Sequence, residues 1–335
     1  MFKSLARFGI DPYLMALIGM VVLAAIFPVS GAAAHAFDYV VFAAIWLLFF
    51  LYGAKLSTEA VIGGITHWRL QGLVLLSTFF LFPVLGLIIT WATKSWLPAE
   101  LSVGLMLVCV LPSTVQSSIA FTSIARGNVP AALCAASASN LFGMVLTPLL
   151  VGLLMTSKSG GFSLSSLQSI ALQLFLPFVL GQLTRRWVLP IITRYKSVIG
   201  YVDRGSILLV VYSAFSEGMV AGIWHQVSLV SLGVVLVLNA VLLAIVLVLT
   251  TVVSRRLGFS KEDEIVIVFC GSKKSLASGI PMANILLGGQ GIGLIILPLM
   301  LFHQIQLFVC AILAQRYAAR PDEATAIEGL KPATT

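Results

Sequence analysis

Two adjacent lysines, Lys273 and Lys274, stand in the stretch CGSKKSLASGIPMANILL, residues 270–287, with apolar runs on both sides. By length and apolarity this segment is predicted to cross a lipid bilayer. Counted from a boundary near Glu264, Lys273 lies about 14 Å in at 1.5 Å per helical residue, close to the middle of a hydrocarbon core about 30 Å thick. An ammonium group there costs at least about 2.5–3.5 kcal/mol, and no packing role needs one. At least one lysine is therefore expected to reach a polar or aqueous pocket. Glu217, in YSAFSEGMVAG, is the only acidic residue well inside a predicted span. An ion pair between Glu217 and one lysine is expected, leaving an excess positive charge that favours an anion such as a carboxylate, phosphate or sulfate.

A second polar run, LPSTVQSSIAFTSIARGN (111–128), has the same character. It offers Ser113, Thr114, Gln116, Ser117 and Ser118 as candidate binding groups, as Ser272 and Ser275 do beside the lysines. Pro112 is predicted to break the first helix, and Gly271, Gly279 and Pro281 to loosen the second. Unwound backbone at membrane depth persists only where it lines a cavity or is buried in protein. Breaks at matching positions in two halves of a chain point to a transporter's binding site, and the half-helices that follow aim their positive N-terminal ends at it. Ser123, Ser137 and Ser278 suit close helix packing as well as binding. In FHQIQ, His303 and Gln306 share a helical face, where histidine would relay protons or join a packing network. Asn239 reads as glue between helices.

The elements that position these residues follow from composition. Of the 335 residues 59% are hydrophobic and 10% charged, with mean hydropathy +1.07. Soluble domains carry roughly 25% charged residues, so this is an all-α integral membrane chain. The net charge of +8 resides in short loops and does not suggest nucleic acid. Ten spans are predicted: 13–30, 37–54, 70–92, 101–125, 129–156, 165–187, 204–222, 228–254, 264–287 and 291–315. With this count, sixteen Lys and Arg fall on the side holding both termini, against Lys94 and Lys158 opposite. Both termini are thus expected in the cytoplasm. Ten divides into five plus five, so the second half enters from the other side as an inverted repeat, about 13–156 and 165–315, with spans 4 and 9 broken. One membrane domain covers 1–320, and the polar tail 321–335 reads as disordered. The basic start MFKSLAR and the segment AAAHA (32–36) resemble a cleaved signal, but the long apolar run from Tyr13 to Pro28 favours a retained first helix. Cys109, Cys134, Cys270 and Cys310 lack metal-ligand spacing and read as reduced, buried thiols.

The chain resembles the bile acid:sodium symporter family over nearly its whole length, in a bacterial branch with a lysine-containing ninth helix. FLYGAKLS (50–57), LPSTVQSSIAFTSIARGN, VVYSAFSE (210–217), FCGSKKSLASGIPMANI (269–285) and LPLMLFHQIQL (297–307) carry that resemblance. It implies a ten-helix secondary transporter of two inverted five-helix repeats in the bacterial inner membrane, with helices 4 and 9 crossing near the midplane, moving a small, anionic organic solute by alternating access. It also implies a sodium site at Gln116, Ser117, Ser118, Ser139 and Asn140, and no cofactor beyond the coupling ion. The family's glutamate in the ninth helix is replaced here by Cys270, with Lys273 and Lys274 near its glutamine. A fixed lysine would then stand in for one sodium ion, and proton coupling through a lysine becomes the alternative. Two other classes remain open: a non-transporting regulator or sensor on the same fold, and a Ser–Lys hydrolase built on Ser272, Ser275 and a lysine base. The hydrolase lacks any supporting catalytic motif.

Overall fold

The computed structural model describes residues 12–55, 67–155, 171–220, 222, 228–287 and 291–320. Among them the chain is helical throughout, with no strand. The helices are α1 (Pro12–Ile26), α2 (Gly31–Lys55), α3 (Trp68–Thr93), α4 (Ala99–Val110), α5 (Gln116–Ile124), α6 (Val129–Leu154), α7 (Leu176–Arg194), α8 (Lys196–Val220), α9 (Leu229–Arg256), α10 (Lys261–Gly271), α11 (Leu276–Leu287) and α12 (Ile292–Ala318). Lipid offers no hydrogen bonds, so an apolar chain satisfies its backbone by coiling on itself. Among the described residues, seven segments are long and apolar enough to span a bilayer: α2, α3, α6, α8, α9, the pair α10–α11, and α12. The tail beyond Arg320 and Lys158 lie outside the described residues. Residues 32–36 sit inside α2.

Helix starts carry side-chain caps where the sequence supplies them. Asn128 accepts from Ala131 N, Ser228 from Ser231 N and Ser260 from Asp263 N. Each satisfies a backbone donor that the first turn leaves without a partner. Glu262, Asp263 and Glu264 in the first turn of α10 complement the helix dipole.

The helices gather in two groups. α1, α2, α7 and α8 pack on one another, and α3–α6 pack with α9–α12; α8 touches α11 and α12 across the boundary. Within the first group α2 and α7 meet through glycines. A Cβ on Gly53 would run into the Phe178 carbonyl, and one on Gly181 into the Phe50 carbonyl. In the second group, α10–α11 is the central element, with every residue from Glu264 to Leu276 buried. The outer surfaces expose Phe80, Trp91, Leu153, Leu183, Trp187 and Val230, as a lipid-facing protein should.

The second break differs from the expectation. Gly271 closes α10, but Gly279 and Pro281 lie inside the continuous α11, and the unwound residues are Ser272–Ser275. Gly279 instead serves packing, since a Cβ there would press on Leu111 and Leu299.

Candidate functional site

The two breaks face each other. Leu111 precedes Pro112 and adopts an extended conformation (φ −77°, ψ 156°), as the proline ring requires of its neighbour, which ends α4. The unwound residues 111–115 then cross Ser272–Ser275, and Ser275 N donates to Pro112 O at 2.9 Å. Gly143 of α6 lets the proline seat: a Cβ there would lie 2.6 Å from Pro112 Cβ.

Buried unwound backbone needs partners, and side chains supply them. Ser113 N donates to Ser139 Oγ (3.0 Å), while Asn140 Nδ2 donates to Ser113 O (2.7 Å). Thr147 Oγ1 donates to Val110 O and Ser77 Oγ to Gly271 O, each at 2.8 Å, closing the ends of α4 and α10. Ser118 Oγ donates to Phe269 O at 3.3 Å. Gln306 of α12 brackets Lys274, with Oε1 accepting from Lys274 N (2.8 Å) and Nε2 donating to Lys274 O (2.9 Å). Gln306 Nε2 also lies 2.9 Å from His303 Nδ1. Gln306→Leu removes both backbone contacts inside a buried site. We expect a loss of about 2–6 kcal/mol, at about 1–3 kcal/mol per orphaned group, read as a lower midpoint of thermal unfolding in detergent. Gln306→Glu should recover the acceptor half of that loss.

The lysines take opposite environments, and both are 0% exposed. Lys274 Nζ donates to three main-chain carbonyls: Thr78 O (2.8 Å), Leu111 O (2.8 Å) and Cys109 O (3.0 Å). It lies 4.0 Å from the Phe82 ring centroid. An ammonium has three donors, and all three are used. The Thr78 carbonyl is free because α3 carries a π turn at Ser77–Leu81, in which Phe82 N donates to Ser77 O. The next residue, Pro83, has no N–H to offer. Sequence reading missed this turn; the FP pair after a Ser-Thr step was its only trace. Lys273 Nζ has no hydrogen-bond partner and lies 3.9 Å from the Phe121 centroid and 5.5 Å from that of Phe269.

Two expectations are thereby corrected. Neither lysine pairs with Glu217, a half-buried residue of α8 whose charged neighbour is Asp38. The carbonyls outcompete it because they lie in the crossing itself. Of the polar or aqueous pocket expected for at least one lysine, Lys274 has the polar form, its three carbonyls, while neither lysine lines the accessible cavity: the non-helical backbone at 272–275 turns both side chains into the protein. A Ser–Lys dyad is also absent. Ser272 Oγ donates to Val268 O at 2.6 Å, and Ser275 Oγ accepts from Ser278 N at 3.2 Å.

The accessible space is a cavity of about 650 Å³ between the two helix groups. Thr114, Gln116, Ser117, Asn140, Ser275 and His303 supply polar lining from the crossing, together with Ser137 and Ser278. Phe49, Met144, Phe178 and Met282 form apolar wall, Lys55 and Lys196 come from the ends of α2 and α8, and Arg204 from the third turn of α8. Thr114 Oγ1 lies 2.7 Å from Ser117 Oγ and 3.1 Å from Ser118 Oγ, a cluster of three hydroxyls beside Gln116. Among the described residues no group of His, Cys, Asp and Glu is placed to hold a metal ion, and all four cysteines are free thiols. Asn239 Nδ2 donates to Pro298 O at 2.9 Å, tying α9 to α12.

Comparison with known proteins identifies the family. The family model for the SBF-like CPA transporter family matches residues 11–319. "Uncharacterized protein PA2026" of Pseudomonas aeruginosa is 56% identical over 324 residues, 96% of this chain and 97% of that protein. "Putative symporter YfeH" of Escherichia coli K12 is 54% identical over 314 residues, covering 94% and 95%. "Sodium/bile acid cotransporter 7" of Danio rerio is 28% identical over 292 residues, covering 85% and 86%. With apolar spanning helices, a polar crossing of two broken ones and a family match over nearly its whole length, the chain belongs to the SBF-like CPA transporter family and is a membrane transporter, not an enzyme.

Proposed function

We propose that the chain is a secondary active symporter that carries a small organic anion across the bacterial inner membrane by alternating access around the crossed breaks. The architecture proposed for it is ten spans in two inverted five-helix repeats, with both termini cytoplasmic. The packing supports this reading. Exchanging the halves turns the α1–α8 contact into the α2–α7 contact, the α3–α4 contact into α9–α10, and one broken pair into the other. The cavity is the single observation that carries the transport reading: it reaches both breaks from one side and is lined by three cations and, among the described residues, no carboxylate.

Coupling by sodium or by protons is open to one discrimination. Lys274 already fills its three carbonyls, so a sodium ion would bind elsewhere, at the hydroxyls of Thr114, Ser117 and Ser118 beside Gln116. Ser139 and Asn140 are engaged with the Ser113 backbone and would support that site from behind. A sodium gradient across proteoliposomes of the purified full chain should drive uptake of a labelled organic anion. Thr114→Val with Ser117→Ala should cut that uptake at least tenfold, about 1.4 kcal/mol of coupling. Uptake driven by a pH gradient alone, and unchanged in the double variant, would assign coupling to protons. No flux of any anion under either gradient would overturn the transport reading itself.

A further inference from the structure

From Gln182 to Arg204 the chain carries Arg185, Arg186, Arg194, Lys196 and Arg204 against a single acid, Asp203. At the ends of α9, α10 and α12 several charges are met within the protein: Arg255 and Lys261 share Glu264, and Arg320 pairs with Glu262. The arginines on the outside of α7 differ. Arg186 and Arg194 are exposed, and among the described residues neither makes a hydrogen bond or an ion pair. Each guanidinium instead stands over the ring next to it, Arg186 over Trp187 and Arg194 over Tyr195, both 5.7 Å from the centroid. A guanidinium resting on a ring keeps its N–H donors free, and their planar fork matches a phosphate.

The face that carries them is otherwise apolar. α7 turns Phe178, Gly181 and Ile192 toward α2. On its opposite side Leu183, Trp187, Ile191 and Tyr195 recur every four residues, each at least half exposed. Arg194 lies two turns beyond Trp187 on that same face. Exposed apolar surface rimmed by charge marks an interaction site. Depth identifies the partner. The headgroup layer of one leaflet is about 5–8 Å deep, whereas Tyr195 lies about 14 Å beyond Arg186 along the helix. With Arg186 at the inner edge of that layer, an upright helix would carry Tyr195 into water. Laid obliquely in the layer, the same segment keeps its apolar stripe against lipid and both arginines among phosphates. Trp187 and Tyr195 then sit at the depth that such rings favour.

We infer that this face of α7 is a binding site for anionic phospholipids, on the side that the basic-loop asymmetry assigns to the cytoplasm. Arg186 and Arg194 hold headgroup phosphates, and acyl chains lie along Leu183, Trp187 and Ile191. The unpaired charge selects an anionic headgroup, and the exposed stripe selects a lipid over a soluble phosphate. None of these residues lines the cavity, so the site is separate from that of the transported solute.

The test titrates the purified full chain in detergent with phosphatidylglycerol or phosphatidylcholine of the same acyl chains and counts bound lipid by native mass spectrometry. The first phosphatidylglycerol should bind more tightly than the first phosphatidylcholine by about tenfold or more. In Arg186→Gln with Arg194→Gln, the two lipids should come within about twofold of each other. Both side chains are exposed, so this variant should fold as the unaltered protein does. Arg256→Gln with Arg316→Gln removes two exposed charges from the last turns of α9 and α12, away from the stripe, and should keep the preference. Glycerol 3-phosphate, the headgroup phosphate without its chains, should not displace bound phosphatidylglycerol. Equal binding of the two lipids to the unaltered protein would overturn the proposal. So would an equal loss of preference in both double variants, the signature of diffuse charge. Displacement by glycerol 3-phosphate would assign the arginines to a soluble phosphate and overturn it too.

Discussion

Lys274→Met should destabilise the protein by on the order of 4 kcal/mol, while Lys273→Met, one residue away, should leave it as stable or more so. The first change orphans Thr78 O, Cys109 O and Leu111 O in a site with no solvent. Each buried group without a partner costs about 1–3 kcal/mol, and removing one side of a buried charged contact commonly costs about 3–5 kcal/mol. Set against a whole-protein stability of about 5–15 kcal/mol, this is a severe loss. The second change breaks no hydrogen bond. It forfeits attraction to the Phe121 and Phe269 rings, about 2 kcal/mol when desolvated, but relieves the larger cost of holding an ammonium group among them. Thermal unfolding in detergent separates the two. A midpoint lowered by about 10 °C for Lys274→Met, with Lys273→Met within about 2 °C of the unaltered protein, is the expected pattern. Equal losses in both variants would show that the carbonyl contacts do not set the difference.

Gly53→Ala should prevent folding, although it adds only a methyl group to a helix, where alanine is otherwise preferred. The new Cβ would meet the Phe178 carbonyl, and the same substitution at Gly181 would meet the Phe50 carbonyl. Both obstacles are backbone, so neither can rotate aside, and α2 and α7 would have to separate along their whole contact. Gly19 in α1 is the control: nothing lies within 4 Å of its added Cβ. Gly19→Ala should therefore be neutral or stabilise by about 0.5–1 kcal/mol. Size-exclusion profiles after detergent extraction would show a monodisperse peak for Gly19→Ala and aggregate for Gly53→Ala. A well-folded Gly53→Ala would mean the two helices do not meet as closely as described.

Much of this was legible before any coordinates. Apolar runs and basic loops gave the membrane class, and Pro112 gave the first break, because a proline acts through its own ring and its immediate neighbour. The second break was located less well. Gly279 and Pro281 look like breakers but stay helical, and Gly279 sits hard against Leu111 and Leu299, which sequence order does not reveal. The polar character of the crossing was evident from its serines, yet their partners were not. Ser77, Ser139, Thr147 and Gln306 each bond backbone far away in the chain. The lysines show the limit most clearly. Helical geometry predicts that neighbours point about 100° apart, but Lys273 and Lys274 sit where the helix is unwound, so that rule no longer applies. Nor does composition announce that a carbonyl of α3 waits for one of them. The cavity's cations, Lys55, Lys196 and Arg204, were read only as loop charges that set orientation. Their meeting at one opening depends on how α2 and α8 pack.

The wide turn at Ser77–Leu81 puts a constraint on chain length as well as on residue type. Ser77 reaches Gly271 from it, and Thr78 offers its carbonyl to Lys274 from the next position. The turn holds one residue more than a uniform α-helix between the same flanks, so deleting one residue there would let α3 wind uniformly with both flanking segments keeping their facing. What such a deletion removes is the wide turn itself, from which Ser77 and Thr78 reach the second break. A single-residue deletion should therefore act on the second break while leaving the packing of α3 on either side of the turn in register.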